Sequence, residues 1–399
     1  MLSTTPVNRV GRPGRCHPPV RRWWPCACER SPADGGGVGT VVSSLPPVSS
    51  AGAARRLDEA ARRLAPGYFA LVMASGIVSV GLDQYGHHLL SVLLLLVCGV
   101  SYAVLVVLSG WRVLAHRDAV RADLADPNRG FGFFTFIAGS NVLGVRVATD
   151  GHHAVALVLL AVAGLAWLVL GYVIPWTAVT VRHTHPVLGA ADGTWFTWVV
   201  AVQSMAVSAA TLEPEVPGLR DALAATAVFS WSVGVFLYAA VGVLVAARLL
   251  VYDLRATDLT PPYWIAMGAT AISVLAGARI VDLRPSPMVE ATRGLIAGVA
   301  VLLWAFGTWL IPVLVAAGWW RHRVHRVPLV YESSLWAIVF PLGMYAVAGT
   351  YLGRVDDLPL VGAVGAVGIW IALAAWGATL LAMLAHLSRA AVRPGADPG

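Results

Sequence analysis

The sequence contains no lysine, and charged residues of all kinds make up only 12% of it. An average soluble domain has about 25% charged residues. So few charges cannot cover a water-exposed surface, which excludes a soluble enzyme, a nucleic-acid-binding module and a disordered chain. Hydrophobic residues make up 58% of the chain and occur in long runs, so we expect an integral membrane protein whose surface contacts the lipid bilayer.

Cysteine is also scarce, with four residues in the whole chain. Cys16, Cys26 and Cys28 lie near the N-terminus, and Cys98 lies inside an apolar run. This arrangement supplies neither a disulfide framework nor the four-ligand spacing of a zinc site. We therefore expect no metal site.

The apolar runs lack the signatures of catalysis. They contain no His-Glu-x-x-His, paired-Asp or Gly-x-Ser-x-Gly motif. None of them carries an acidic or basic residue at its centre, which argues against a proton pump or a carboxylate-coupled antiporter. We expect no catalytic residue and no cofactor. The pattern suits a passive or weakly coupled pathway.

Ten stretches after residue 63 are free of Asp, Glu, Lys and Arg. About 20 apolar residues span the roughly 30 Å hydrocarbon core, and the third stretch reaches that length if Arg146 extends its head group to the interface. We predict ten transmembrane helices within a domain of residues 61–389, between a disordered cytoplasmic N-terminal tail at 1–60 and a disordered C-terminal tail at 390–399. The ten stretches are 64–82, 84–111, 130–145, 151–181, 193–212, 222–247, 259–278, 294–320, 333–353 and 358–388.

The arginines indicate the orientation in the membrane. All 28 basic residues are arginines, and most lie between the apolar stretches. Basic charge there sets topology and attracts anionic lipid head groups rather than nucleic acid. Sixteen arginines lie near the membrane on the N-terminal side and six on the other side. We therefore predict a plasma-membrane protein with both termini in the cytoplasm.

The odd-numbered stretches begin near Pro66, Gly130, Gly193, Pro262 and Ser334, at intervals of 63 to 72 residues. Large aromatic residues follow each start, which indicates a five-fold repeat of helical hairpins. The odd stretches contain small and polar residues, whereas the even ones are nearly pure Leu, Val and Ala. We predict five inner helices forming a pore, ringed by five outer helices. Packing of small residues between helices would give a similar composition.

Three arginines, Arg146, Arg279 and Arg354, lie at the outer ends of odd stretches. Their guanidinium groups would attract anions in an outer vestibule. Alternatively, they anchor the helices at lipid head groups or pair with Asp150, Asp282 and Asp356. The polar and small residues that we expect to line the pore are Ser75, Gly76, Asn141, Gln203, Ser273 and Gly343.

Phe340 directly precedes Pro341 in the middle of the ninth stretch. A proline there bends the helix, so the neighbouring ring could project into the conduit and close it by excluding water. A packed core phenylalanine is the alternative. The histidine pairs His87–His88 and His152–His153 lie in short loops, and we interpret them as solvated.

Local motifs resemble those of the tellurite-resistance/dicarboxylate transporter family, which includes the plant slow anion channels. The opening Pro66-Gly-Tyr-Phe-Ala-Leu-Val-Met-Ala-Ser-Gly is similar to the family's Pro…Phe…Met-Gly-Thr-Gly signature, with Ala74 and Ser75 where Gly and Thr are frequent. The third stretch, from Phe133 through Asn141 to Arg146, resembles the bacterial branch, and Trp336 with Phe340-Pro341 resembles the family's Trp…Phe-Pro stretch. The resemblance covers residues 64–388.

This resemblance implies a homotrimer in which every subunit has its own pore of five kinked inner helices. It also implies that Phe340 occludes the pore. The implied substrates are small anions: C4-dicarboxylates such as malate, or alternatively sulfite, chloride or nitrate, with tellurite resistance as a phenotype. The competing hypothesis from another class is a membrane sensor or scaffold that binds a ligand and transports nothing.

Overall fold

The computed structural model describes residues 50–180 and 187–392. Within these ranges the regular secondary structure is entirely helical, and ten segments are long and apolar enough to cross a membrane. The prediction of an all-α membrane protein with ten spans is confirmed. The main helices of the spans are α1 Ala70–Gln84, α2 His88–Ala115, α3 Phe134–Thr149, α4 His153–Thr180, α5 Phe196–Leu212, α6 Arg220–Val251, α7 Ile265–Val281, α8 Pro287–Trp319, α9 Trp336–Val355 and α10 Pro359–Val392.

The odd-numbered helices form a closed ring. Each of α1, α3, α5, α7 and α9 packs against its predecessor and its successor in that series, and α9 packs against α1. Their apolar windows are 78% to 89% buried, whereas those of the even-numbered helices are 17% to 28% buried. We therefore call the odd helices inner and the even helices outer. Each outer helix packs mainly on the inner helix of its own hairpin.

Every inner helix begins with a short 3₁₀ turn, and the five turns contact one another in a second closed ring. Because these turns lie together, all the inner helices begin at the same end of the bundle. Thr135 Oγ1 donates a hydrogen bond to the carbonyl of Pro66 at 3.1 Å, and Thr197 Oγ1 donates to that of Phe131 at 2.6 Å. The turns are Pro66–Phe69, Phe131–Phe133, Gly193–Trp195, Pro261–Trp264 and Ser333–Leu335.

Two segments that were predicted to belong to disordered tails are helical. Residues 50–60 belong to a helix that spans Ser50–Arg63, and α10 continues past residue 389. The Ser50–Arg63 helix has a strongly amphipathic sequence and lies beside the end of α2, where Asp58 accepts a hydrogen bond from Trp111 Nε1 at 3.2 Å. Residues 1–49, with three of the four cysteines, and residues 393–399 lie outside the described residues.

Candidate functional site

A small cavity lies within the ring of inner helices, and all five of them line it. We call it the axial cavity. Its volume is about 20 Å³, which holds roughly one water molecule. The bundle is therefore closed at this level. The lining residues are Ile77 and Val80 of α1, Asn141, Val142 and Val145 of α3, Ser204 and Val207 of α5, Ile272, Leu275 and Arg279 of α7, and Met344 of α9.

Most of this lining is apolar, and one polar pair crosses it. Asn141 Nδ2 donates a hydrogen bond to Ser204 Oγ at 3.0 Å, and Ser204 Oγ donates to the carbonyl of Ala201 at 2.6 Å. Asn141 is fully buried, and its Oδ1 has no hydrogen-bond partner among the described residues. Buried amide groups normally have hydrogen-bond partners, so Asn141 Oδ1 is free to accept a hydrogen bond from a bound molecule or water. Asn141, expected to line a pore, lines this cavity, and its role in binding an anion stays a prediction.

A larger cavity of about 590 Å³ lies where the inner helices end. We call it the vestibule. Glu213 in its wall pairs with Arg220 at 3.2 Å, and Glu215 lies 3.5 Å from His153 Nε2. The wall therefore carries both signs of charge. The polar and charged residues of the wall are Thr149, His153, Thr211, Glu213, Glu215, Arg279, Asp282, Arg284 and Tyr351.

Arg279 lines both the vestibule and the axial cavity. Its Nη1 donates a hydrogen bond to Thr211 Oγ1 at 2.8 Å, and its guanidinium carbon lies 5.0 Å from the centroid of the Tyr351 ring. Its Nε has no hydrogen-bond partner in the described part of the chain. A neutral hydroxyl and an aromatic face hold the guanidinium without cancelling its charge. Arg279 thus places positive charge at the junction of the two cavities.

Arg146 has a different environment. It is 1% exposed and lines neither cavity. Its Nη1 lies 2.7 Å from Asp150, Nη2 lies 3.6 Å from Asp83, and Nε donates to Ser79 Oγ at 3.0 Å. Two carboxylates therefore neutralise its charge, and several hydroxyls accept hydrogen bonds from it, between α1, α2 and α3. The expectation that Arg146 faces a vestibule is wrong, and the alternative of pairing with Asp150 is what the structure contains.

Arg354 is exposed, and its guanidinium carbon lies 6.0 Å from the centroid of the Tyr351 ring. The structure therefore brings Arg279 and Arg354 together at one tyrosine and places Arg146 elsewhere. The expected ring of three guanidinium groups is not formed. Of the three, Arg279 is the one that reaches the axial cavity.

Three of the polar residues expected to line a pore bond to outer helices instead. Trp376 Nε1 donates to Ser75 Oγ at 2.9 Å, and Gln203 Nε2 donates to the carbonyl of Trp231 at 3.2 Å. Ser273 donates its own hydroxyl to a carbonyl one turn earlier in α7, while its carbonyl accepts from Trp231 Nε1 at 3.0 Å. In hydrocarbon a polar group must find a partner, and the neighbouring helix supplies it. These residues hold inner and outer helices together.

The two glycines among the predicted lining residues also serve packing. A Cβ on Gly76 would lie 2.7 Å from Val142 Cγ1, and one on Gly343 would lie 2.9 Å from Ile77 Cγ2. Both positions are contacts between neighbouring inner helices. They allow the close approach that small residues give to membrane helices, and neither glycine lines the axial cavity.

Phe340 is 2% exposed within the core of the bundle. It lies four residues before Met344, so the two residues share one face of α9, and Met344 lines the axial cavity. Pro341 follows inside the helix and packs on α7, where a Cβ on Gly268 would lie 2.9 Å from the proline ring. The phenylalanine is therefore one helical turn from the cavity, toward the end where the inner helices begin.

Sequence reasoning did not select Ser204, Thr211 or Tyr351, and it interpreted His153 as a solvated loop residue. The repeat could have found the first two. Asn141 and its partner Ser204 are 63 residues apart, which is the interval between the starts of the third and fifth stretches; Arg279 and its partner Thr211 are 68 apart, one residue short of the interval between the fifth and seventh starts. Residues in register between neighbouring repeats thus meet in the ring. Tyr351 and Asp282 are 69 residues apart, three fewer than the interval between the seventh and ninth starts, so the repeat does not predict this pair.

The sequence was also compared with known proteins. Residues 63–384 match the family described as voltage-dependent anion channel. This chain belongs to that family. The family is one of membrane channels and transporters, so the earlier resemblance is confirmed, and small anions and a bilayer are its natural partners. Its name points to transport rather than to enzyme catalysis.

Proteins with similar sequences include a membrane protein and two transporters. An uncharacterized membrane protein of Mycobacterium tuberculosis is 59% identical over 160 residues, which are 40% of this chain and 81% of that protein. An uncharacterized transporter of Methanocaldococcus jannaschii is 22% identical over 335 residues, which are 80% of this chain and 92% of that protein. A second transporter of that organism is 23% identical over 190 residues, 47% of this chain and 54% of that protein.

Proposed function

We propose that this family member carries small anions across the plasma membrane along the axis of its five inner helices. The vestibule would face outward, and both termini would lie in the cytoplasm. C4-dicarboxylates such as malate are the first candidate substrates, with tellurite resistance as a phenotype of transport. Efflux of sulfite, chloride or nitrate through the same path is the second candidate.

The position of Arg279 carries this proposal. It lies between a vestibule of about 590 Å³ and a cavity that all five inner helices line. A guanidinium held by neutral groups attracts anions and repels cations, and low-dielectric walls strengthen the effect. The Asn141–Ser204 pair supplies the next polar groups along the axis, and the second hydrogen of Asn141 Nδ2 is the one that would donate to an anion there.

Phe340 is proposed as the gate. An axial cavity of about 20 Å³ is too small for malate or nitrate, so side chains must move before either can pass. Phe340 shares a helix face with Met344 and precedes Pro341, where the helix lacks one backbone hydrogen bond and bends more readily. Conduction should therefore be low while Phe340 keeps its packed position.

Flux measurements in proteoliposomes test the proposal, with malate, sulfite, nitrate and chloride in parallel. We expect Phe340→Ala to raise anion flux roughly tenfold or more, because it removes the bulk that closes the axis. Arg279→Gln should lower anion flux relative to cation leak. Phe134→Ala is the matched control, since Phe134 is equally buried but packs against Trp198 near the start of α3. Unchanged flux in folded Phe340→Ala protein would contradict the gate. The absence of flux in all forms would favour a sensor.

We also propose a homotrimer with one pathway per subunit. The outer helices expose large apolar side chains over most of their length, as surfaces that contact lipid or further copies do. The mass of the protein in lipid nanodiscs checks this proposal. Three copies in every particle are expected, and single copies would contradict it.

A further inference from the structure

Arg279 and Asp282 stand three residues apart at the end of α7. At this spacing a guanidinium and a carboxylate lie on the same face of a helix and can pair. Arg146 and Asp150 at the end of α3 do pair, at 2.7 Å. The equivalent arginine of α7 instead donates to Thr211 Oγ1, and no ion pair of Arg279 within 4.0 Å occurs in the described ranges.

Tyr351 of α9 contacts both members of this potential pair. Its ring lies under the Arg279 guanidinium, 5.0 Å from ring centroid to guanidinium carbon. Its hydroxyl donates a hydrogen bond to Asp282 Oδ2 at 3.1 Å. The aromatic face attracts the cation without adding a formal negative charge, and the hydroxyl gives the carboxylate another partner. One side chain therefore separates two groups that would otherwise neutralise each other.

We propose that Tyr351 is a positioning residue that keeps the positive charge of Arg279 available to anions at the entrance of the axial cavity. Its ring packs against the Arg279 guanidinium, and its hydroxyl keeps the Asp282 carboxylate away from that guanidinium. The inference rests on the proposed transport function and adds to it the residue that sets how strongly the site attracts anions. A carboxylate paired with Arg279 would cancel the attraction, as two carboxylates do at Arg146.

The first test is the concentration dependence of anion flux in Tyr351→Phe, which keeps the ring and loses the hydroxyl. Asp282 can then turn to Arg279, so the half-saturating anion concentration should rise about fivefold at unchanged maximal flux, as for a lost uniform binding interaction. The double variant Tyr351→Phe with Asp282→Asn should return it to the wild-type value. A purely structural tyrosine would not be rescued by removing a carboxylate.

Tyr345→Phe is the matched control. Tyr345 also lies in α9, and its hydroxyl lies 2.7 Å from Thr308 Oγ1, away from the vestibule wall. This variant also loses one tyrosine hydroxyl with one hydrogen bond. We expect no change in half-saturation.

A second readout does not depend on transport. Phenylglyoxal modifies guanidinium groups more slowly when a carboxylate holds them, and peptide mass spectrometry resolves the rate at each arginine. Tyr351→Phe should slow the labelling of Arg279 at least roughly twofold, Asp282→Asn should restore it, and Arg284 serves as the internal reference in the same wall.

The two readouts separate the possible failures. If Arg279→Gln transports like wild type, the proposed role of Arg279 fails, and labelling still decides whether Tyr351 keeps Asp282 away from it. Equal labelling of Arg279 in wild type and Tyr351→Phe overturns the positioning role. Failure of Asp282→Asn to restore half-saturation overturns it as well.

Discussion

At the scale of single residues, two arginines near the ends of inner helices have opposite surroundings. Arg146 is bound by Asp83, Asp150 and serine hydroxyls inside the protein, whereas Arg279 is held by Thr211 and Tyr351 beside two cavities. The first therefore stabilises the contact of three helices. The second is the one that we propose to attract anions.

This difference predicts opposite effects on stability. Arg146→Gln should lower the midpoint of thermal unfolding by about 3 °C or more, because it removes a buried guanidinium that bonds to two serines and pairs with two partly exposed carboxylates, at a cost of roughly 1–2 kcal/mol. Arg279→Gln should leave the midpoint nearly unchanged. Tryptophan fluorescence of the detergent-solubilised protein measures both. Equal midpoints for Arg146→Gln and wild type would show that the buried pairs do not stabilise the fold.

At the scale of secondary-structure elements, the ring of 3₁₀ turns joins the starts of the inner helices. It depends on close backbone contact, since a Cβ on Gly193 would lie 2.3 Å from the backbone of Pro262. No real Cβ approaches a backbone atom so closely, and a backbone cannot turn aside as a flexible side chain can. The turn before α5 therefore has room for glycine alone.

Gly193→Ala should accordingly destabilise the bundle by about 2 kcal/mol or reduce the yield of folded protein. Gly99→Ala is the control, because nothing lies within 4 Å of a Cβ at Gly99 in the middle of α2. That variant should behave like wild type. Thermal unfolding and size-exclusion profiles provide the comparison, and a stable, monodisperse Gly193→Ala protein would contradict the close contact.

At the scale of the whole molecule, an even number of spans places the residues before α1 and after α10 on the same side of the membrane. The excess of arginines there supports the proposal that this side faces the cytoplasm. A membrane-impermeant maleimide should label His152→Cys, between α3 and α4, in intact cells that carry an otherwise cysteine-free protein. Arg121→Cys, between α2 and α3, should react only after permeabilisation. The reverse pattern would invert the orientation and place the vestibule inside.

Much of the fold follows from the sequence because a charge in hydrocarbon costs free energy, so charged residues mark the ends of every span. The fifth predicted stretch, 193–212, coincides with the observed span Gly193–Leu212, and the others agree within a few residues at most of their ends. The repeat interval also predicted the five hairpins. The helix α8 begins at Pro287 rather than near residue 294. Such an extension contains charged residues, so it lies outside the membrane, where the helix continues.

The candidate site was less predictable. Composition showed that the inner helices contain polar groups, but a polar side chain in a membrane bundle bonds to whichever neighbour is within reach. The side chains of Ser75 and Gln203 are bonded to outer helices, that of Ser273 is bonded within its own helix, and Asn141 faces the axis. Periodicity along one helix cannot tell these cases apart, because both faces of an inner helix contact protein.

The sequence by itself determined the class, the number of spans, the repeat and the family, because these depend on local hydropathy and on motifs along the chain. Tertiary structure decided which of the two arginines pairs with carboxylates. Asp150 and Asp282 follow their arginines at similar spacing, and only packing places a tyrosine from α9 beside Asp282 and serines from α1 and α2 beside Arg146. The electrostatics of a guanidinium depends on partners that lie far away in the sequence, so the structure had to supply them.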